Sequence, residues 1–155
     1  MDLLNDKWVP VNNNGVITHM AIDEIHNLPL SALAFSRFDF YYAFLLLLIG
    51  LTHYKSKTYP VLGDSERFMQ NIRATNGKQK PISVLLLDAP SENAVKNNTD
   101  HFAKRGLCSQ MCIPCATIAL YAKTQFESAG GVGLRPGLFY NTVSYFIEKK
   151  LSEKR

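Results

Sequence analysis

Polar and apolar positions alternate most clearly near the start of the chain. Trp8-Val9-Pro10-Val11 and Val16-Ile17-Thr18-His19-Met20 flank a polar run, Asn12-Asn13-Asn14-Gly15. Asn-Gly tolerates the positive φ that a two-residue turn demands, so residues 1–25 are predicted to contain a β-hairpin. A short helical turn is expected to begin at Asp23-Glu24-Ile25. The pattern then changes. Residues 38–54 lack proline and are apolar nearly all round, with strong helix formers at 43–48. This predicts a central, buried helix capped by Ser36, its aromatic and leucine side chains belonging to the core rather than to a base-stacking surface.

The remainder is less regular. Residues 55–81 are basic and broken by Pro60, Gly63, Gly77 and Pro81, which predicts loop with one weak element at 66–72. Residues 82–87 are a short apolar run bounded by Pro81 and Asp88-Ala89-Pro90, either a buried strand or a helical turn. The Asn-rich stretch 91–106 reads as loop. Pro114 stands where the first turn of a helix accepts proline, and that helix should run to about Glu127. Glycines at 130–137 break the chain again, and residues 141–150 carry the pattern of a closing amphipathic helix. The expected fold is one α+β domain over residues 1–155: an N-terminal β-hairpin, a central buried helix, long loops and C-terminal helices.

Composition narrows the class. At 155 residues the chain is of single-domain length, and 46% hydrophobic with 19% charged residues is a globular balance. A net charge of +4 and a pI of about 9.0 favour an acidic partner, a nucleic acid or an acidic protein face. The longest apolar run, 40–51, is shorter than the roughly 18–20 residues that span a bilayer, so no membrane partner is expected. No secretory leader pattern opens the chain. Three cysteines, Cys108, Cys112 and Cys115, are clustered and odd in number, which suits a reducing, cytoplasmic setting better than a disulfide scaffold.

Three groups of residues carry candidate chemistry. Cys112 and Cys115 have the spacing that lets two sulfurs reach one tetrahedral zinc ion, with only Cys108 and His101 nearby to extend the set. Unligated thiols buried at a helix start, an incomplete zinc site and redox chemistry are the open readings. Gly130, Gly131 and Gly133 with Arg135 would let backbone approach a ligand closely, or would serve as a helix cap and turn. They form neither a phosphate-binding P-loop nor a dinucleotide fingerprint. Asn93, Lys96, Asn97 and Asn98 offer amides and an ammonium suited to phosphates and base edges, or simply an exposed loop. The four histidines are scattered, with no His-x-x-x-His and no Glu partner at helical spacing, and no carboxylates form an obvious pair. Cys112 with His101 has the residue types of a nucleophile pair, but chance placement of this kind is common, so no catalytic residue is assigned and no enzyme is expected.

Several motifs fall in a shared order. They are Leu3-Leu4-Asn5-Asp6-Lys7-Trp8-Val9-Pro10-Val11, Arg67-Phe68-Met69-Gln70, Pro81-Ile82-Ser83-Val84-Leu85-Leu86 and Asp88-Ala89-Pro90-Ser91, followed by Cys112-Ile113-Pro114-Cys115 with its helix and glycine loop. In this order and spacing the chain resembles a shortened N-terminal domain of the CasA family, the large subunit of the type I-E CRISPR Cascade complex. That family docks on a guide-RNA complex, reads a short motif in foreign duplex DNA and leaves cleavage to a recruited nuclease. The resemblance implies that the Asn-rich loop meets the Cascade backbone near the guide 5′ end, beside the DNA motif. It implies that the glycine loop approaches the minor groove. In some members a second CxxC pair completes a zinc site, and its equivalent would lie beyond Arg155.

The expected partners are Cascade backbone subunits with guide RNA, and duplex DNA weakly. No cofactor is expected, zinc being the one candidate. The leading expectation is a non-catalytic mimic in the bacterial cytoplasm, encoded by a phage or other mobile element, that displaces the large subunit and inhibits target recognition. Two alternatives stand beside it: a minimal or split large subunit that takes part in reading the DNA motif, and an unrelated small zinc or thiol protein.

Overall fold

The computed structural model describes residues 1–53, 58–64, 67–70 and 80–127, without the side chains of residues 52 and 53. Strands β1 (Val9–Asn13) and β2 (Val16–Met20) pair antiparallel in the register Val9↔Met20 to Asn13↔Val16. Asn14 and Gly15 make the turn with φ of 51° and 91°, and Gly15 N–H is held by the Asn12 side chain at 2.7 Å. Both turn residues lie in the left-handed region, the geometry that matches strand twist. Val9 and Val11 are buried, whereas Val16 and Ile17 of β2 are exposed, so the hairpin meets the core chiefly through β1, with Met20 packing at its edge. A 3-10 turn at Ile22–Glu24 follows, where the expected helical turn was placed.

Helix α1 (Phe38–His53) forms as predicted, but its cap differs. The Tyr41 N–H bonds to the Arg37 carbonyl at 3.1 Å, which makes Arg37 rather than Ser36 the residue that opens the helix. Arg37 also bridges Asp39 at 2.9 Å and Asp88 at 3.0 Å, and its guanidinium lies 5.4 Å from the Phe40 ring centroid. These contacts fasten the start of α1 to the turn after residue 85. Hydrogen bonding to Asp39 first, then to Asp88, raises the Arg37 pKa against the opposing effect of burial.

Burial along α1 corrects the sequence reading. Phe40, Ala43, Phe44 and Leu47 are buried, but Phe38 is 85% exposed, and Tyr42, Leu46 and Ile49 are exposed as well. The exposed residues recur at helical spacing, so a continuous apolar stripe faces away from the core. The helix is central but covered along one side only.

Residues 82–85 form a 3-10 turn, the helical of the two alternatives. Helix α2 (Glu92–Lys96) interrupts what the sequence presented as loop. Helix α3 (Ile113–Phe126) matches its predicted span and packs against both α1 and the 3-10 turn. The described part of the weak element at 66–72 is a tight turn closed by an Arg67–Gln70 bridge, with neither helix nor strand. The predicted closing helix at 141–150 lies outside the described residues.

The core gathers Trp8, Val9 and Val11 from the hairpin side, Phe44 and Leu47 from α1, Leu85, and Ile118 to Ala122 from α3. Trp8 sits edge-on to Phe44 with centroids 5.6 Å apart, and its indole N–H is satisfied by the Leu3 carbonyl at 2.8 Å. A buried indole needs such a partner. The start of the chain is stitched to residues 59–61 through Leu3 N–H to Tyr59 O at 3.1 Å and Val61 N–H to Met1 O at 2.9 Å. Burial opposes ionisation of Asp2, but hydrogen bonds from the Asn5, Leu4 and Tyr59 amides outweigh it and hold the carboxyl below its ordinary range. The architecture is a small α+β domain. Among the described residues no helix is long and apolar enough to cross a membrane.

Candidate functional site

The Asn-rich segment is a short, locally locked helix followed by a clasped loop. Ser91 Oγ accepts the Ala94 N–H at 3.1 Å and starts α2. The end is closed by two bonds, Asn98 N–H to Val95 O at 3.3 Å and Thr99 N–H to Ala94 O at 2.9 Å, around Asn98 at φ 51°. This is the Schellman arrangement, in which asparagine replaces the usual glycine at the left-handed position. Beyond it Arg105 grips Asp100 through Nη2–Oδ1 at 2.7 Å and Nε–Oδ2 at 2.5 Å, and reaches Asn98 Oδ1 at 3.1 Å. The paired guanidinium is the main cause that lowers the Asp100 carboxyl below its ordinary range. Residues 98–105 are thus a closed ring rather than an open strand.

The sequence-predicted contact residues divide accordingly. Asn93, Lys96 and Asn97 are exposed and, at helical spacing of three and four, share one face of α2. Asn98 is spent on the ring. Its backbone makes the helix stop and its side-chain oxygen accepts from Arg105. Gly130, Gly131, Gly133 and Arg135 lie outside the described residues.

Two features escaped the sequence reading. Phe102 stands fully exposed on the ring between His101 and Lys104, with no apolar neighbour at strand or helix spacing to bury it. The only sequence signal was its isolation within the charged run Asp100-His101-Phe102-Ala103-Lys104-Arg105. The second is a cleft of about 360 Å³ between the 3-10 turn, α2 and the ring, with Lys96 and Lys104 among its lining residues. It joins residues distant in sequence and has no linear signature.

The CxxC pair sits at the start of α3 for a mechanical reason. Cys112 is the N-cap: its Sγ accepts the Cys115 N–H at 3.3 Å, and its carbonyl accepts the Ala116 N–H at 2.8 Å. Pro114 occupies the first turn, where a missing N–H costs nothing. Cys112 is exposed, while Cys108 and Cys115 are half-buried, and all three are free thiols. Burial first, and the adjacent Cys112 sulfur second, push the Cys115 thiol up to about 12. It is therefore protonated at neutral pH, which disfavours nucleophilic attack by that sulfur, since attack uses the thiolate. Among the described residues no group of three or more His, Cys, Asp or Glu is placed to hold a metal ion.

The geometry is that of a presentation surface. The ring displays Phe102 and Lys104 outward, and α2 beside it displays Asn93, Lys96 and Asn97, next to an apolar recess. No protein-family model, no curated protein and no solved structure matches this chain.

Proposed function

We propose that this chain is a non-catalytic, CasA-like docking protein that binds the Cascade guide-RNA complex near the guide 5′ end, in the seat of the large subunit, and inhibits target recognition there. The observation that carries this reading is the braced ring of residues 98–105 with α2 beside it, which holds Phe102, Asn93, Lys96 and Asn97 outward. Exposed aromatic anchors on preorganised elements are what interfaces use, because little ordering entropy remains to be lost on binding. The resemblance in motif order supplies the identity of the partner; the ring supplies a physical reason to place the contact in this segment. Phe102 on the ring and the exposed amides of Asn93 and Asn97 at α2 suit an interface that contains both protein and RNA phosphate.

The test is association of the purified protein with a Cascade assembly that carries guide RNA but lacks its large subunit. Co-elution at micromolar concentration is expected, with loss of the bound fraction as full-length CasA is added. Phe102→Ala combined with Lys96→Glu should weaken association by about tenfold or more. Target binding by Cascade should fall as the protein is added. Restored target binding would instead identify a minimal or split large subunit that takes part in reading the DNA motif. No association at micromolar concentration removes both readings.

A further inference from the structure

The apolar cleft beside α2 is unused by any contact within the described fold, and its walls and rim have different chemistry. Pro81, Val84, Ala89, Pro90, Val95 and Leu107 contribute its apolar surface. Lys96, Lys104 and Arg105 also line it, along with the single carboxylate Glu92. That carboxylate is already bound by Lys80 at 3.1 Å, and Arg105 is bound by Asp100. Lys96 and Lys104 have no ion-pair partner among the described residues. The rim therefore presents two uncompensated positive charges over an aliphatic recess.

We infer that this cleft receives an aliphatic side chain from an acidic segment of a partner protein, with Lys96 and Lys104 pairing with the carboxylates that flank it. The volume is ample for one or two leucine-sized groups and lies within the range of ordinary binding clefts. The walls hold no aromatic ring, and nucleobases bind single-stranded sites chiefly by stacking on aromatic faces. The floor thus fits an aliphatic anchor better than a base, while the rim selects an acidic segment over a neutral one by charge complementarity. The ring clasp Asp100–Arg105 holds one wall in place, so the recess exists before its occupant arrives. This deepens the docking proposed above by assigning a protein segment, rather than RNA, to this part of the surface.

The test uses the full chain and a capped six-residue peptide with two leucines flanked by aspartate and glutamate, titrated by nuclear magnetic resonance and fluorescence anisotropy. Amide shifts at Val84, Val95 and Leu107 are expected. Changing the peptide leucines to serine, or its acids to amides, should each weaken binding by about tenfold or more. In the protein, Lys96→Glu with Lys104→Glu should do the same, and so should Ala89→Trp, which fills the recess; melting curves verify that each variant is folded. Equal binding of the serine peptide would reduce the site to surface charge and overturn the inference. Tighter binding of a single-stranded RNA of equal charge with shifts at the same residues would overturn it in favour of nucleic acid. Absence of any shift at millimolar peptide would also overturn it. The outcome is separable from the Cascade reading: peptide binding without Cascade association upholds the cleft alone, and Cascade association undiminished by Ala89→Trp, with no peptide binding, upholds Cascade docking alone.

Discussion

Helices α1 and α3 pack against each other, yet the more apolar of the two is the less buried. In α3 eight consecutive residues, Ala116 to Lys123, are buried, so the helix is enclosed on every side. Among the described side chains of α1 only Phe40, Ala43, Phe44 and Leu47 are buried, although eleven of its sixteen residues are phenylalanine, tyrosine, leucine or isoleucine. The difference lies in size. Ala116, Ala119 and Ala122 let neighbouring segments approach the α3 backbone closely, and even Lys123 is enclosed by bonding Glu127 at 2.7 Å. The bulky side chains of α1 fill one interface and hold other segments away elsewhere. Hydrophobicity drives burial, but the ability to be surrounded depends on small residues.

Substitutions in the two helices should separate these ideas. The largest effect is expected from Phe44→Ala, which empties a site in contact with Trp8 and Phe35 and should cost about 3–5 kcal/mol in urea unfolding. Phe38→Ala removes the same side chain from the exposed stripe and should change stability by no more than about 0.5 kcal/mol. Similar losses at both positions would show that α1 is enclosed like α3. Next in size is Ala119→Leu, which adds three carbons where the residue is fully buried and should cost about 1–3 kcal/mol by overpacking. A neutral result would deny that small residues set the enclosure of α3. A smaller effect than that of Ala119→Leu, and of opposite sign, belongs to Gly50→Ala on α1. A methyl group there meets nothing within 4 Å, so the helix should gain about 0.5–1 kcal/mol, visible as a higher melting temperature.

The same contrast explains what was legible in the sequence. The hairpin, α1 and α3 were readable because turn chemistry and helical composition act between near neighbours: Asn14-Gly15 sets the turn, and Pro114 marks the helix start. Helix α2 was not read because five residues are too few to show a period. Its evidence was in its ends, Ser91 before and Asn98 after, and both residues are equally at home in loops. The exposed side of α1 was hidden for a different reason. Burial depends on which distant segments arrive, and a helix apolar all round gives no local sign of which face will be left uncovered. For the candidate site, Asn93, Lys96 and Asn97 were readable as exposed polar residues, whereas the role of Asn98 within the ring depends on Arg105, seven residues away. The cleft is assembled from residues 81–107 and had no signal in any one window. The Cys112 cap follows from its place immediately before the helix, and the raised Cys115 pKa from burial that only the fold provides.

The clasped ring also bears on the order in which the chain folds. The α1–α3 interface joins segments about sixty residues or more apart, so it must close a long loop before its contacts are rewarded. The hairpin closes two residues, and the Asp100–Arg105 ring closes five, and loops of that size form in well under a microsecond to a few microseconds. Those two units can therefore assemble while the core is still searching. The ring shortens the effective loop between α1 and α3, because residues 98–105 enter that search as one compact knot instead of eight independent links.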